Sequence, residues 1–564
     1  MSPQTAGSGP TPKRSLLPKV AIFLLLTIAF TIGQAGVHRF RGHDTTRFVP
    51  YVDEEEHFMT GLMIHDYLLQ GLPHNPLSFA KLYYLHYPKI AFGSWPPLLH
   101  MALAVWMIPF PATRASAIFY VDFAMSALVV AAILAARRRV HWSIALAVGI
   151  GVWWAPLMQR LDQFVGADIQ YSLCSLACVY IFALYLERPQ YSRAFWFGVA
   201  LLAAVATKNN GLFLGISVPV MILVTRSLGI LRRRDIWLAI IPSVIFVGIW
   251  QYVTLPFNIG NMKGVTEESV PGLVLFFFLK QLIGLVWVGL LPLILWSIYA
   301  RIVRPLLRRE PVNTVDAATF ALLIGPVLFH SMLPHDANQR YLLPSVAALL
   351  LFSGQALLDL FSLQVFARVP QPLKLAAIAV LLVVSRSSVR FTPPVPSGYN
   401  QLATELLARY PAKDNPSILI SASYEGEGML VSEIATHEPR MGHWLIRGSK
   451  IFRHRTGIHN NREMELTKES PEEMIRYFEE LPVSLLVLAD DGDPEHAPQH
   501  EIVAKMIKDH PDRWTQVMTG NVGSKCQIEI APCTIEVYRF NSTLGKKEFS
   551  PDKLPTGMSL WKGL

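Results

Sequence analysis

Long apolar segments dominate the first two-thirds of the chain. They begin with residues 20–37, recur until about residue 385, and mostly run for about 18–25 residues, the length that a helix needs to cross a bilayer. The segments are continuous rather than alternating, which excludes a transmembrane β-barrel. The pattern therefore predicts a polytopic α-helical membrane protein with roughly 11 to 13 transmembrane helices. The short segment 97–110 and the long segment 270–300 leave that number open.

The pattern changes near residue 391, where a proline-rich stretch ends the apolar segments. Beyond it, residues 417–421 and 483–489 are typical of buried strands, and residues 471–481 and 500–510 are typical of helices. Strands that alternate with helices predict a small soluble α/β domain at the C-terminus. The predicted organisation is, in chain order, a disordered tail, 1–15; a transmembrane domain, 16–390, with a first extracytoplasmic loop, 38–95; a linker, 391–399; an extracytoplasmic α/β domain, 400–541; and a tail, 542–564.

Composition supports the membrane class and indicates an orientation. Of the 564 residues, 52% are hydrophobic, and the net charge of +9 is concentrated in arginine groups at the ends of apolar segments. Under the positive-inside rule, these groups mark cytoplasmic loops rather than a nucleic-acid-binding surface. Lys13, Arg14 and Lys19 precede the first apolar segment and no clear cleavage site follows it, which favours an uncleaved helix over a signal peptide. The expected location is a bacterial inner membrane.

The chain contains four cysteines, which are too few for a disulfide scaffold. Cys174 and Cys178 lie one helical turn apart in an apolar segment, as is typical of small buried residues. Cys526 and Cys533 lie in the polar C-terminal region. For this second pair, a disulfide and two free thiols are both open.

The most informative polar feature is an acidic run in the first extracytoplasmic loop, Asp53, Glu54, Glu55 and Glu56, followed by His57. Four consecutive acids are too polar for lipid, so we expect them in water at the membrane surface. There Asp53 could act as a general base on an acceptor, and an ordinary solvated loop is the alternative. Glu55 and His57 are candidate ligands for a divalent metal, Zn²⁺, Mn²⁺ or Mg²⁺, although their spacing matches no metal motif.

Further polar residues interrupt or begin apolar segments. Asp168 stands at the start of a predicted helix, as its N-cap, as a second acid facing the first across a cavity, or as both. Lys208 interrupts about thirty apolar residues, either in a turn between two helices or in contact with a phosphate or sugar. Arg340, followed by Tyr341, opens another segment, where it could bind a phosphate through two hydrogen bonds or extend towards lipid headgroups.

Taken together, these positions resemble the GT-C glycosyltransferases, polytopic enzymes that use polyprenyl-phosphate-linked sugars. The resemblance is to the branch that contains protein O-mannosyltransferases, lipid A aminoarabinose transferases and the bacterial RgtA/B/C/D-like proteins. It extends over residues 16–390. The matching pieces are, in chain order, Asp53-Glu54, Trp95-Pro96-Pro97-Leu98, Asp168, Thr207-Lys208 and Arg340-Tyr341-Leu342-Leu343-Pro344.

The resemblance implies a reaction and a set of roles. A sugar would move from a polyprenyl-phosphate carrier to an acceptor with inversion at the anomeric centre, and polyprenyl phosphate would leave. Metal use varies within the superfamily, so a metal cofactor stays open. The implied residues are Asp53, Glu54 and Asp168 for catalysis, and Lys208, Arg340 and Tyr341 for binding the donor phosphate.

The sequence contains no G-x-x-x-x-G-K-[ST] loop and no Rossmann fingerprint, the usual motifs of ATP-driven transport and of dinucleotide binding. We therefore expect an integral membrane glycosyltransferase whose acceptor is a glycan, a lipid or a protein outside the cytoplasm. The alternative from another class is a transporter or flippase of lipid-linked saccharides, for which charges within the membrane and paired broken helices would be typical. The polar residues gather at one predicted membrane face, which favours the enzyme.

Overall fold

The structure is a computed structural model, and every structural statement below concerns the residues that it describes. These are 17–49, 53–73, 75–90, 93, 95–262, 271–332, 338–387, 398–414, 416–451, 453–455, 464–466, 470–480, 483–490, 499–521 and 534–541. Both predicted tails, most of the predicted linker, and Cys526 and Cys533 lie outside the described residues.

Helices make up most of the chain up to residue 387. They are α1 (Leu17–Phe40), α2 (Glu54–Leu69), α3 (Pro76–His86), α4 (Leu98–Trp106), α5 (Arg114–Arg137), α6 (Trp142–Trp153), α7 (Pro156–Leu161), α8 (Asp168–Glu187), α9 (Tyr191–Thr207), α10 (Leu214–Val224), α11 (Arg234–Met262), α12 (Pro271–Gly284), α13 (Leu291–Ile298), α14 (Arg304–Leu307), α15 (Thr314–Met332), α16 (Leu343–Ser362), α17 (Gln364–Ala367) and α18 (Gln371–Ser387). Two 3₁₀ turns matter for the site: Asn209–Phe213 before α10 and Gln339–Leu342 before α16.

Seven described helical stretches are long and apolar enough to cross a membrane, which confirms the predicted polytopic helical class. They are Val20–Phe40, Arg114–Arg137, Asp168–Glu187, Arg234–Leu255, Val288–Leu307, Thr314–Met332 and Gln339–Ser362. Shorter apolar helices accompany them at Trp142–Trp153, Tyr191–Thr207, Asn209–Val224, Val274–Gly284 and Gln371–Val384. In the most apolar 18-residue stretch of each helix, 89% of the residues are buried in α16, but only 17% in α1 and in α11. α16 therefore lies at the centre of the bundle, and α1 and α11 lie at its periphery.

The segment 97–110, which left the number of crossings open, contains only a short helix. α4 has nine residues and is therefore about 14 Å long, less than half of the ~30 Å hydrocarbon core of a bilayer. Before it, Trp95 lies near Lys208, and after it, Arg114 pairs with Glu54. The segment therefore starts and ends at the same end of the bundle.

Arginines gather at the opposite end of the bundle, where they pair with acids of neighbouring helices or, in the case of Arg233, with an acid two positions later in the chain. These pairs are Arg138–Glu187, Arg139–Asp316, Arg233–Asp235 and Arg301–Asp359. α5 and α8 end at these pairs, whereas they begin at Arg114 and Asp168 near the acidic run. The arginine groups and the acidic run therefore lie at opposite ends of the bundle, as the charge pattern predicts.

The C-terminal region contains a five-stranded mixed sheet, which confirms the predicted small α/β domain, whereas its boundaries stay predictions. Its elements are α19 (Tyr399–Arg409), β1 (Ser417–Ser421), α20 (Tyr424–His437), β2 (Trp444–Arg447), α21 (Gly448–Ile451), β3 (Arg453–Arg455), β4 (Met464–Leu466), α22 (Pro471–Glu480), β5 (Leu485–Asp490), α23 (Gln499–Asp509), β6 (Trp514–Asn521) and β7 (Thr534–Phe540). The strand order is β2–β1–β5–β7–β6, with β1 parallel to β2 and β5, and β7 antiparallel to β5 and β6. β3 and β4 form a separate antiparallel pair.

The first loop and the C-terminal domain share one hydrophobic core. Phe58 of α2 and Tyr87 after α3 are fully buried in the same cluster as Ile420 of β1 and Leu430 of α20. The Tyr87 hydroxyl also donates a hydrogen bond to Glu438 at 2.5 Å. Because these contacts fix the loop against the sheet domain, the acidic run at the start of α2 has a defined position.

Candidate functional site

The site lies where the first loop meets the beginnings of α8 and α16. Asp53 is the N-cap residue of α2, but its side chain makes no capping hydrogen bond. Arg340 lies in the 3₁₀ turn before α16, where the Asn338 side chain accepts its backbone N–H at 3.1 Å. Arg340 Nη1 lies 2.5 Å from Asp53 Oδ2, and the two side chains are 16% and 15% exposed. This ion pair is therefore largely buried but keeps some contact with solvent.

A second acid–base pair lies beside the first and is more deeply buried. Lys208 Nζ donates a hydrogen bond to Asp168 Oδ1 at 2.6 Å, and both side chains are almost completely buried. Asp168 is the first residue of α8, and the N-cap residue is Ala167. The N-cap interpretation of Asp168 is therefore wrong by one position, because its carboxylate faces Lys208 instead of the α8 backbone.

Lys208 lies at the site because the helical conformation is interrupted between α9 and α10. Lys208 has an extended backbone, and the 3₁₀ turn begins at the next residue. Gly211 in that turn packs so closely that a Cβ would lie 2.7 Å from the Ala204 carbonyl oxygen. Only glycine allows this close approach. The turn that the sequence offered as one interpretation of Lys208 is therefore present, and it directs the lysine side chain to Asp168.

Aromatic rings surround the two cations. Lys208 Nζ lies 5.8 Å from the centroid of the Trp95 ring and 5.7 Å from that of Tyr341. The Arg340 guanidinium lies 5.6 Å from the Tyr341 ring. These distances suit cation–π attraction, which holds a cation without neutralising its charge. Tyr341 therefore supports both cations at once.

Two uncharged imidazole rings, those of His57 and His100, adjoin the site. His57 Nδ1 and His100 Nε2 are 3.0 Å apart, so one ring donates a hydrogen bond to the other. Burial, together with the Lys208 charge, lowers the pKa of His57 to about 3, and burial with the neighbouring His57 lowers the pKa of His100 well below its usual value. Both rings are therefore uncharged at neutral pH and add no positive charge to the site.

Glu54, next to Asp53 in the chain, lies in a closed ion pair. Its Oε1 accepts hydrogen bonds from Arg114 Nε at 2.8 Å and from the Val165 N–H at 3.1 Å, and its Oε2 accepts the Val49 N–H at 3.3 Å. Arg114 Nη2 also donates to the Gln163 carbonyl at 2.8 Å. Burial raises the pKa of Glu54, and the Arg114 charge opposes that shift. No sequence signal marked Arg114 as its partner.

Glu55 is also fully buried, so the expectation that the acidic run lies in water is wrong for Glu54 and Glu55. Lys89 Nζ lies 4.0 Å from Glu55 and 3.5 Å from Glu56. Burial raises the pKa of Glu55 well above its usual value, against the attraction of Lys89. The C-terminal domain closes over this lysine, because a Cβ at Gly428 would lie 2.7 Å from Lys89 Cε.

The C-terminal domain adds a second layer of charge above Lys89. Arg447 Nε donates a hydrogen bond to Glu427 at 2.9 Å, and the Ser449 N–H donates to the same carboxylate at 2.7 Å. These residues are far from the acidic run in sequence, and only the fold brings them close to it.

The predicted metal ligands Glu55 and His57 do not form a ligand set. Glu55 faces an ammonium group, and the His57 Nδ1 atom is used by His100. The two site acids, Asp53 and Asp168, are each paired with a cation. These donors therefore do not fit a divalent metal. The group that does bring three suitable donors together in the described chain is His38, Asp122 and Asp162, away from this site.

Comparison with known proteins gives matches at the level of structure. No protein-family model and no curated protein sequence matched the chain. The structure is similar to ArnT from Cupriavidus metallidurans in the apo state (TM-score 0.59, 14% identity, 92% of this chain and 98% of that chain covered). It is also similar to ArnT bound to undecaprenyl phosphate (TM-score 0.57, 14% identity, 93% and 98% covered). A third match is the oligosaccharyltransferase of Archaeoglobus fulgidus in the apo form (TM-score 0.53, 13% identity, 92% and 76% covered).

These solved structures are members of the GT-C superfamily, so the chain has the GT-C fold. The resemblance found in the sequence is thereby confirmed for the fold. The chain is a multi-pass integral membrane protein with a C-terminal domain that covers its first loop. At these levels of identity, the matches describe architecture, and the activity has to be argued from the site itself.

Proposed function

We propose that the chain is an integral membrane glycosyltransferase that moves a sugar from a polyprenyl-phosphate-linked donor to an acceptor outside the cytoplasm, with inversion. The observation that supports this proposal is the partly solvent-accessible Asp53–Arg340 pair beside Lys208, which places two cations and a candidate base together at one end of the helix bundle. A phosphate on a lipid carrier can reach this end from the bilayer, while an acceptor approaches from water.

The donor phosphate binds to Lys208 and Arg340. An arginine donates two parallel hydrogen bonds to a phosphate, and a lysine adds a compact positive charge. The rings of Trp95 and Tyr341 keep both cations in position. Because the site is largely buried, these charges stabilise the negative charge of the leaving polyprenyl phosphate more strongly than they would in water.

Asp53 is the general base of the transfer. It takes the proton from an acceptor hydroxyl or amine, whose oxygen or nitrogen attacks the anomeric carbon as the bond from that carbon to the phosphate oxygen breaks. A single displacement of this kind inverts the anomeric centre. The electron pair leaves with the polyprenyl phosphate, which Lys208 and Arg340 hold.

Donor binding prepares the base. Arg340 Nη1 pairs with Asp53 Oδ2 at 2.5 Å, so the two charges neutralise each other. A donor phosphate competes for the same guanidinium, so its arrival releases the Asp53 carboxylate for the acceptor. The base is thus free only when the donor is present, which limits unproductive reaction of the acceptor.

The other residues of the acidic run have supporting roles. Glu54 holds the start of α2 through Arg114, and Asp168 holds Lys208, so both are positioning residues rather than catalytic ones. This changes the catalytic role that the family resemblance implied for Glu54 and Asp168. No step of the transfer passes through a metal at Glu55 or His57, since these donors do not fit one.

The structural relatives support the carrier and leave the acceptor open. ArnT is known with bound undecaprenyl phosphate, and the Archaeoglobus fulgidus enzyme AglB with a dolichol-phosphate and an inhibitory peptide. We propose a polyprenyl phosphate carrier for this chain on that basis, with a lipid, polysaccharide or protein acceptor. We also place the arginine end in the cytoplasm of a bacterial inner membrane, because positively charged loops stay inside, and the site with the C-terminal domain outside.

Substitution of Asp53 tests this function. In membranes or purified protein supplied with radiolabelled polyprenyl-phosphate sugars, Asp53→Asn should lower the transfer rate by about 10²- to 10⁴-fold, the usual contribution of a general base. The matched control is Glu405→Gln, an acid-to-amide change in α19 of the C-terminal domain, which should leave the rate unchanged. Normal transfer by well-expressed Asp53→Asn would refute the role of Asp53.

The transporter alternative has a distinct result in the same experiment. A flippase moves the labelled lipid across sealed vesicles and leaves the bond between sugar and phosphate intact. Movement of label without a new linkage would therefore exclude the transferase. The charges described here lie at the ends of the bundle rather than along a central path, which favours transfer.

A further inference from the structure

A second polar cluster lies near the end of α1, away from the proposed catalytic residues. His38 of α1, Asp122 of α5 and Asp162 after α7 are each at least 97% buried. His38 Nε2 lies 3.0 Å from Asp122 Oδ1 and 3.8 Å from Asp162 Oδ2, and one donor atom of each residue lies within 4.8 Å of the others. Three separate elements thus bring an imidazole and two carboxylates to one point.

The surroundings of this cluster are those of a ligand set. His38 Nδ1 lies 2.9 Å from His43 Nδ1, so the second ring nitrogen of His38 has a hydrogen-bond partner of its own. Gln34 Nε2 donates a hydrogen bond to Asp162 Oδ2, and Gln34 Oε1 accepts one from Trp153 Nε1 at 2.7 Å. Metal-binding histidines and carboxylates are typically held by such outer hydrogen bonds.

Two buried atoms have no hydrogen-bond partner in the described structure: Asp162 Oδ1 in the cluster and Nε2 of the neighbouring His43. A buried carboxylate oxygen without a partner costs free energy, and a cation would remove that cost. A cavity of about 350 Å³ adjoins the cluster and is lined by His38, His43 and Asp122, among others. The cavity offers a path for an ion and room for the water molecules that complete its coordination.

We propose that His38, Asp122 and Asp162 bind one divalent transition-metal ion, Zn²⁺ or Mn²⁺. One imidazole nitrogen and two carboxylate oxygens suit these ions, whereas Ca²⁺ and Mg²⁺ prefer sets of oxygens alone. Donor atoms about 2.0–2.2 Å from such an ion lie roughly 3–4 Å from one another, as the two measured distances do. In this state His38 Nε2 is unprotonated, and its Nδ1–H donates to His43.

The ion would act on the catalytic end of the protein through a short chain of contacts. Asp162 is followed by Gln163, whose carbonyl accepts a hydrogen bond from Arg114. Arg114 in turn holds Glu54, which precedes the rest of α2 and follows Asp53. The ion therefore joins α1, α5 and the segment after α7 behind the proposed base, as a structural metal and not as a reacting one.

The test measures metal in the full-length protein purified in detergent. Elemental analysis by mass spectrometry of the wild type, after exposure to Zn²⁺ or Mn²⁺ and gel filtration, should give equimolar metal. His38→Gln, Asp122→Asn and Asp162→Asn should each lose it. The control His141→Gln changes an exposed histidine at the start of α6 and should keep it. His43→Phe, which removes the outer hydrogen bond, should weaken metal affinity about 10- to 100-fold.

A second measurement uses the unaltered chain, in case the ligand variants do not fold. X-ray absorption of the zinc-loaded wild type should show one imidazole among oxygen ligands, and a chelator should lower the melting temperature reversibly. A wild type that binds neither ion would overturn the proposal and leave a hydrogen-bonded cluster around a proton. Equimolar metal retained in all three ligand variants, or a metal without imidazole, would overturn the assignment to these residues.

Discussion

Two clusters of paired charges lie side by side at one end of the bundle and differ in how much of their side chains is exposed to solvent. In the open cluster, Asp53 and Arg340 pair at the surface of the site and keep about one-sixth of their side chains exposed. In the closed cluster, Glu54 and Arg114 are fully buried, and backbone groups use the remaining carboxylate capacity. Asp53 and Glu54 are consecutive but differ in their surroundings. Asp53 precedes the first turn of α2 and stays partly exposed, whereas the Glu54 side chain points into the protein and is fully buried.

The comparison teaches that a run of acids is not a functional unit. A helix turns by about 100° per residue, so neighbours at its start point in different directions. The direction selects the partner: Arg340 for Asp53, Arg114 for Glu54 and Lys89 for Glu55. The consequence is that substitutions in the two clusters should separate activity from stability.

The largest effect is expected in the closed cluster. Glu54→Gln leaves the Arg114 charge buried without a counter-ion, and breaking such a pair costs about 3–5 kcal/mol of folding free energy. Chemical unfolding in detergent measures this loss. The matched control is Glu187→Gln, which breaks the exposed Arg138–Glu187 pair and should cost less than about 1 kcal/mol. An equally small loss for Glu54→Gln would remove the distinction between closed and open pairs.

The open cluster should show the reverse behaviour. Arg340→Met removes charged hydrogen bonds to the donor phosphate worth about 1.5–3 kcal/mol, so kcat/KM should fall about 10- to 150-fold. The loss of stability should be smaller than that of Glu54→Gln, because the Asp53 side chain is still 15% exposed to water, whereas the Arg114 side chain has no exposure. Arg340→Lys should recover part of the activity, since it keeps the charge but loses the paired hydrogen bonds. Unaltered kinetics in Arg340→Met would contradict the phosphate role.

The smallest effect on stability is expected from substitution of Glu55, and it depends on pH. Burial raises the pKa of the Glu55 carboxyl in the folded protein well above its ordinary value of 4.5. Above pH 4.5 the unfolded chain therefore releases a proton that the folded protein retains. The free energy of unfolding falls as the pH rises through this range. Glu55→Gln removes this cost while Lys89 keeps Glu56 at 3.5 Å. The variant should therefore match the wild type near pH 4 and exceed it by roughly 1 kcal/mol at pH 8, a typical buried polar effect.

Melting temperatures of both proteins between pH 4 and pH 8 measure this difference. Glu405→Gln, in a half-buried position outside the cluster, is the control and should show no such pH dependence. A constant difference between Glu55→Gln and the wild type over the whole range would show that the Glu55 carboxyl does not titrate in the expected direction.

Local signals made the fold class predictable. Continuous apolar segments require membrane-spanning helices, because every backbone group must find its hydrogen-bond partner within lipid. Alternating strands and helices after residue 400 indicate the sheet domain in the same way. The segment 97–110 could not be assigned from sequence, since its hydrophobicity is that of a crossing and only its nine-residue helix shows that it is not one.

The candidate site was predictable where function requires an unusual residue in an apolar context. Asp168, Lys208 and Arg340 stand out in the sequence for this reason, and the structure brings them to Asp53. The buried partners did not stand out. Arg114 looks in the sequence like another charged residue at the end of an apolar segment. Its pairing with Glu54 depends on contacts 60 residues apart, which no local pattern encodes.

The shared core of the first loop and the sheet domain has a consequence for biosynthesis. The Phe48 N–H donates to a carboxylate of Glu433, 385 positions later in the chain. A ribosome working at about 5–20 residues per second needs roughly 20–80 s to reach that point. Throughout this interval the newly made loop holds Phe58 and Tyr83 without the strands that will enclose them. The apolar surface of the first loop therefore stays exposed in the nascent chain until translation is almost finished, and a chaperone would be needed at that surface.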